Sequence, residues 1–231
     1  MLLDILFPKR CVRCKKVGEY ICSDCFARIS FDTHLICLVC GKSSIEGLTH
    51  PTCRGKYTIA GAFCGVVYKD IVKKLLYQFK YQPYLTDLQP ILSELLYESL
   101  IQQHPFMQAI QSQPVLVPIP LSQKRLKQRG YNQAEIFAQG LSKKLGLRVE
   151  HILIRSRETR PQFGLSKQDR QDNMKDAFEV NAKFTSQNTK VNSALLVDDI
   201  LTTGSTLYEA AKILKKNGFE RVWGVAFARE Q

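Results

Sequence analysis

The sequence predicts an α/β protein, a mostly parallel sheet flanked by helices behind a small cysteine-rich N-terminal domain. Three observations carry this. Seven of the eight cysteines fall before residue 54. The block SALLVDDILTTGSTLYEAAKILKKNGFERVWGVAFAR, 193–229, reads as an apolar strand, an amphipathic helix and a second apolar strand. That is the pattern of a βαβ unit, whose crossover lays the two strands parallel. The length of 231 residues, with 45% hydrophobic and 23% charged, suffices for one full domain plus a small one and excludes disordered and fibrous chains.

The N-terminal segment is organised by its cysteines. Cys11 and Cys14, Cys22 and Cys25, and Cys37 and Cys40 are each separated by two residues, and His50 stands at the same spacing before Cys53. Two intervening residues let one tight knuckle present both side chains to a single ion, and two knuckles complete a tetrahedral shell. Eight ligands therefore make two structural Zn²⁺ sites. Sequential pairing, Cys11, Cys14, Cys22 and Cys25 then Cys37, Cys40, His50 and Cys53, is the simplest; a crossed pairing satisfies the same spacing. A segment of this size is too small to bury its own core, so zinc holds it together. Disulfides would require export. The start MLLDILFPKRC has its charges in the wrong order for a signal peptide, and no apolar run reaches the roughly 18 to 20 residues of a membrane span. The reading is a cytoplasmic protein with a zinc-ribbon domain at 1–56 and a second domain at 57–231, joined by a short linker at Gly55 to Thr58. Cys64, in the apolar run GAFCGVVY, stands outside the pattern as a buried thiol.

Along the second domain, 57–68 reads as β and 70–81 as a helix with Ile71, Leu75 and Phe79 on one face. A second helical pattern runs over 86–103 through Leu88, Leu92, Leu95, Leu96 and Leu100. A short strand follows at Val115 to Ile119, then a basic stretch, then a helix over 132–145 ending at Gly146. HILIR, 151–155, is strand-like, and a polar, basic segment extends to Asn173. Ala194 to Val197 is a continuous apolar strand of the kind buried in a parallel sheet. Leu207, Ala210, Ala211 and Leu214 repeat at helical spacing, Lys215 and Lys216 sit in the last turn with Gly218 as C-cap, and Val222 to Phe227 is the next strand.

Lys and Arg number 33 against 21 Asp and Glu, a formal charge of +12. Seven thiolates and two zinc ions would lower it to about +9, still a bias toward an anionic partner. Residues 124–170 hold twelve Lys and Arg against four acids. Tyr131 and Phe163 lie among these cations, and a basic groove with aromatic platforms is how single strands are held. A solvated face carries the same charges, and either aromatic also fits a core position.

Asp198 to Thr206, DDILTTGST, closes the predicted strand and opens the next helix. Adjacent carboxylates suit two vicinal sugar hydroxyls, and hydroxyls with backbone N–H groups at a helix start suit a phosphate. A plain N-cap shares the Thr-Gly-Ser-Thr pattern, but not the paired acids behind an apolar strand. The stretch resembles the diphosphoribosyl-binding signature of type I phosphoribosyltransferases. The resemblance implies that Asp198 and Asp199 are the catalytic acids that bind the ribose 2- and 3-hydroxyls. It gives Thr202, Thr203, Gly204, Ser205 and Thr206 the 5-phosphate, and makes Mg²⁺ the partner of the diphosphate. A second loop of that family, which holds pyrophosphate, falls by position near Pro120 to Arg129, where Lys124, Arg125 and Arg129 supply charge.

Three further features narrow the resemblance: Lys124-Arg125 with Arg129-Gly130-Tyr131-Asn132-Gln133; the set Arg157, Thr159, Gln162, Leu165, Arg170, Asn173 and Ala177-Phe178; and the zinc knuckles ahead of them. Together with the Asp198-Asp199 loop, they resemble the ComF/GntX-like family of bacterial competence proteins from Cys11 to Arg229. One departure is His50, where relatives often carry a fourth Cys-x-x-Cys. The resemblance implies a type I phosphoribosyltransferase-like fold and a protein of natural transformation that handles single-stranded DNA beside a DNA-translocating, helicase-like partner. It assigns Lys124, Arg125, Arg129, Tyr131, Asn132, Gln133, Arg157 and Arg170 to pyrophosphate or DNA. The phosphoribosyl diphosphate site leaves open an enzymatic alternative, phosphoribosyl transfer to an acceptor that the sequence does not name.

Overall fold

The computed structural model describes residues 8–81, 88–159, 166–182, 184 and 191–231. Strand β1 (Gly61–Val67) is buried along its whole length, as a continuous apolar run requires. Helix α1 (Ile71–Tyr81) buries Ile71, Val72, Leu75, Leu76 and Phe79. Helices α2 (Leu88–Ile101) and α3 (His104–Gln111) follow, then β2 (Val115–Pro118). Helix α4 (Gln123–Arg129) starts at Ser122, whose hydroxyl accepts the Arg125 N–H at 3.5 Å. Helix α5 (Gln133–Leu145) is capped by Asn132, and β3 (Leu153–Arg155), α6 (Lys167–Met174) and β4 (Phe178–Val180) lead into β5 (Ser193–Leu201), α7 (Ser205–Lys216) and β6 (Arg221–Arg229).

The main sheet has the order β1-β6-β5-β2, with every neighbouring pair parallel. Alternation of side chains puts Leu195, Val197, Val225 and Phe227 on the face covered by α1, α2, α3 and α5. Ala194, Leu196, Val222 and Ala226 face α7 and the small antiparallel β3–β4 pair. The structure thus has the expected α/β architecture, three layers with one sheet between helices.

Several elements differ from the sequence reading. Helices α4 and α6 form in stretches read as basic or polar, because each is set by a serine N-cap rather than an apolar stripe. HILIR supplies only a three-residue strand, which pairs antiparallel with β4 outside the main sheet. Helix α7 stops at Lys216 with Asn217 as its C-cap, and Gly218, at φ +97°, turns the chain one residue later.

The cysteine-rich segment covers the open edge of the sheet. Leu48 bridges Gly61 antiparallel, the Thr49 N–H donates to the Ala60 carbonyl at 2.9 Å, and the Val67 N–H donates to the Ser30 carbonyl at 2.8 Å. These contacts occupy backbone groups that a bare edge strand would leave open to other chains.

Candidate functional site

The two knuckle pairs form two clusters, Cys11, Cys14, Cys22 and Cys25, and Cys37, Cys40, His50 and Cys53, with the ligand atoms of each within 4.8 Å of one another. Sequential pairing is therefore the arrangement adopted. The first and third knuckles repeat one turn: the Lys15 N–H donates to the Cys11 carbonyl at 3.0 Å, as the Gly41 N–H does to Cys37 at 2.7 Å. Cys14 Sγ and Cys22 Sγ are 3.5 Å apart, and Cys40 Sγ lies 3.4 Å from His50 Nδ1. His50 Nε2 lies 3.0 Å from the Ser43 carbonyl. A carbonyl only accepts, so Nε2 carries the proton and the Nδ1 lone pair is left for the metal, an orientation typical of metal-bound histidine. Both donor sets fit tetrahedral zinc. Cys64 is a buried thiol pushed up to about 12 by burial, and belongs to neither cluster.

The paired acids close β5 at its C-terminal end, the side on which open α/β sheets bind ligands. The Asp199 N–H donates to Asp198 Oδ1 at 2.8 Å. Burial, with the neighbouring Asp199 charge, pushes the Asp198 carboxyl up to about 7. Asp199 goes the other way. Burial opposes its charge, but Lys80 Nζ lies 2.6 Å from its Oδ2, with both side chains 17% exposed, and holds the carboxyl below its ordinary value. In the sequence Lys80 stands with Lys73 and Lys74 beside Tyr77 and Tyr81 on α1, a partner surface or an ordinary amphipathic face, and is not assigned to the acids. Its signal was only its place beside Phe79 in the last turn of α1, which α1 packing converts into a position over the acids.

The loop that follows is held from two sides. Arg229, 8% exposed, donates through Nη1 to the Leu201 carbonyl at 3.0 Å and to the Thr202 carbonyl. Thr203 Oγ1 accepts the Ser205 N–H at 3.4 Å and donates to Ser205 Oγ at 3.1 Å. Gly204, buried at φ +78°, begins α7; a Cβ there would lie 2.4 Å from Leu38 Cδ2 of the third zinc knuckle. Glycine takes this backbone angle without strain, and any larger residue would have to displace the Leu38 side chain. Thr202, Thr203 and Thr206 are half-buried around the start of α7.

The basic candidates divide. Lys124 is exposed on α4, and Arg125 Nη2 donates to the Thr159 carbonyl at 3.4 Å. Arg129 donates to Gln133 Oε1 at 3.0 Å, lies over the Tyr81 ring at 5.7 Å and bears on Asp199. Asn132 ties α5 to the Ile119 carbonyl at 2.9 Å, just beyond β2, and Gln133 is 1% exposed, so neither is presented outward as a free contact. Tyr131 is half-buried with its ring 5.8 Å from Phe79, on the core side rather than facing out. Arg157 caps the end of α6 through the Asn173 and Lys175 carbonyls at 3.0 and 2.6 Å, and Arg170 pairs with Glu230 at 3.4 Å. Gln162, Phe163 and Leu165 lie outside the described residues. One cation absent from the predicted set joins the acids: Arg155 lies over Phe178 at 5.5 Å and within the field of Asp198, and burial with nearby Arg125 lowers it to about 10.

Residues 2–54 match the Double zinc ribbon domain family, and residues 132–230 match the Phosphoribosyl transferase domain family. The chain is 41% identical over 116 residues to Competence protein F of Haemophilus influenzae, covering 49% of this chain and 50% of that protein. It is 36% identical over 104 residues to DNA utilization protein YhgH of Escherichia coli, covering 45% and 44%. In these matches the chain spans about half the length of each relative. Competence protein ComFC of Bacillus subtilis is 26% identical over 215 residues, 88% of this chain and 81% of that one. The chain therefore joins a double zinc ribbon to a phosphoribosyltransferase domain, and its homologues are named Competence protein F, YhgH and ComFC.

Proposed function

We propose that the chain binds 5-phosphoribosyl 1-diphosphate with Mg²⁺ at Asp198 to Thr206 and holds single-stranded DNA beside it during DNA uptake, in the cytoplasm, alongside a DNA-translocating, helicase-like partner. The observation that carries this is the acid pair at the end of β5, followed by a glycine-opened helix start and faced by Lys80, Arg129 and Arg155. Adjacent carboxylates accept the two ribose hydroxyls, the start of α7 takes the 5-phosphate, and the cations face the diphosphate. Asp198, Asp199, Thr203 and Ser205 offer only oxygens, the donor class that suits Mg²⁺. Bound with the diphosphate, that ion neutralises charge developing on the leaving group. The names of the relatives, which speak of competence and of DNA utilization, support the DNA half of the reading.

Phosphoribosyl transfer to an acceptor is the second reading, favoured by the convergence of cations on the acid pair. In it the chain's residues act by positioning the ribose and stabilising departing pyrophosphate. Replacing Asp198→Asn and Asp199→Asn together should abolish phosphoribosyl diphosphate binding in calorimetry while zinc content stays at two ions per chain. Retained affinity would remove the loop from the site. Release of pyrophosphate by the wild-type protein would decide for the enzyme.

A further inference from the structure

The first zinc knuckle and α1 enclose a groove of about 460 Å³ that includes Val12, Lys15, Tyr68, Lys73, Lys74 and Tyr77. Its chemistry is one-sided. No carboxylate lines it among the described residues, and Asp70, at the start of α1, is paired with Arg13 at 2.7 Å.

The aromatic groups on this side face outward. Tyr77 is 62% exposed and Tyr81 52% exposed, although α1 has a filled core face of its own. One turn apart, their rings lie 5.0 Å apart and are tilted at 48°. Cations hold this row in place. The Lys73 ammonium lies over Tyr68 at 5.3 Å, and the Arg129 guanidinium over Tyr81 at 5.7 Å. The row continues through Lys80 to the Asp199 carboxylate.

Exposed rings interleaved with lysines are what single strands require: cations follow the phosphates while bases stack on π-faces. We propose that this face, with Tyr77 and Tyr81 as stacking platforms and Lys15, Lys73, Lys74 and Arg129 as phosphate contacts, is where the chain holds single-stranded DNA. It rests on the DNA-binding reading above and moves the aromatic contacts from Tyr131, which packs inward, to α1. The strand then runs toward the acid loop, so ligand at Asp198-Asp199 and DNA on α1 meet at Lys80 and Arg129.

The test is fluorescence anisotropy of the full chain with a labelled oligothymidylate at fixed salt. Tyr77→Ala with Tyr81→Ala should weaken binding by about tenfold or more, since stacking contributes roughly 1 to 3 kcal/mol per base. Tyr77→Phe with Tyr81→Phe should keep it. An abasic oligonucleotide should bind the wild type more weakly than the normal strand, and the alanine variant equally to it. Lys73→Ala with Lys74→Ala should reduce the slope of log K against log salt by about 1.4. Wild-type binding that the alanine variant retains within about twofold overturns this face while leaving DNA binding standing. Absence of wild-type binding overturns the DNA reading itself, and this face with it.

Discussion

The two zinc clusters use one local device and are loaded differently. Both present a repeated turn of two-residue spacing, yet they stand on opposite faces of the sheet. Cys11, Val12, Cys22, Cys25 and Ile29 join the core beneath α1 and α2, and Arg13 reaches Asp70 at the start of α1. Ile36 and Leu38 join the core beneath α7, where Leu38 abuts Gly204 at the start of that helix. The same kind of knuckle therefore buttresses the lysine-rich helix α1 on one side and the loop that opens α7 on the other. A structural metal can shape a distant loop without touching it, by fixing the side chain against which that loop is packed.

The largest effect is expected from breaking each cluster in turn. Cys25→Ser and Cys37→Ser should each reduce zinc content from two ions to one and lower the melting temperature by about 10 °C or more. Binding should separate them: Cys25→Ser weakens oligonucleotide affinity, whereas Cys37→Ser weakens phosphoribosyl diphosphate affinity by about tenfold, close to 1.4 kcal/mol. Equal losses of both ligands in both variants would break the comparison.

A smaller effect tests the contact itself. Gly204→Ala places a Cβ 2.4 Å from Leu38 Cδ2 at a φ of +78°. Strain of about 1 kcal/mol from the angle adds to an overlap of roughly 1 to 3 kcal/mol. Leu38→Ala in the same chain should recover most of the overlap and part of the lost affinity, which a double-mutant cycle by calorimetry measures. Additive losses would mean that Leu38 does not hold the loop.

The smallest effect on stability is on the α1 side. Lys80→Met removes the cation that holds Asp199 ionised. Because the Asp199 carboxyl lies below its ordinary value in the fold, the pair contributes stability above the ordinary carboxylate range and loses it as pH falls through the folded value. The melting-temperature gap between wild type and variant should therefore be open at neutral pH and close in acid. Affinity for phosphoribosyl diphosphate should fall more steeply with falling pH in Lys80→Met than in the wild type, while Lys80→Arg stays near wild type. A pH-independent loss would mean that Lys80 does not act by holding Asp199 ionised.

How much was legible in the sequence follows from how each feature is encoded. The strand at 194–197 and helix α7 carry complete apolar patterns and could be read directly. Helix α4 could not, because it buries no residue and so has no stripe. Lys80 and Arg155 could not be assigned to the acids, since nothing local distinguishes them from solvated cations. Tyr131 and Tyr81 illustrate the same point in reverse: the first lies amid the basic run and turns to the core, and the second stands on a core helix and turns out.

The sequence by itself determined the chemistry that resides in short spacings: eight zinc ligands in four pairs, two adjacent acids behind a buried strand, and glycine at the one position where the loop must turn. Tertiary structure decided which knuckles share an ion, which lysine neutralises Asp199, and that Leu38 meets Gly204. The physical reason is range. Ligand spacing and strand patterning are satisfied within a few residues, whereas a charge partner or a packing contact exists only after the sheet has brought distant segments together.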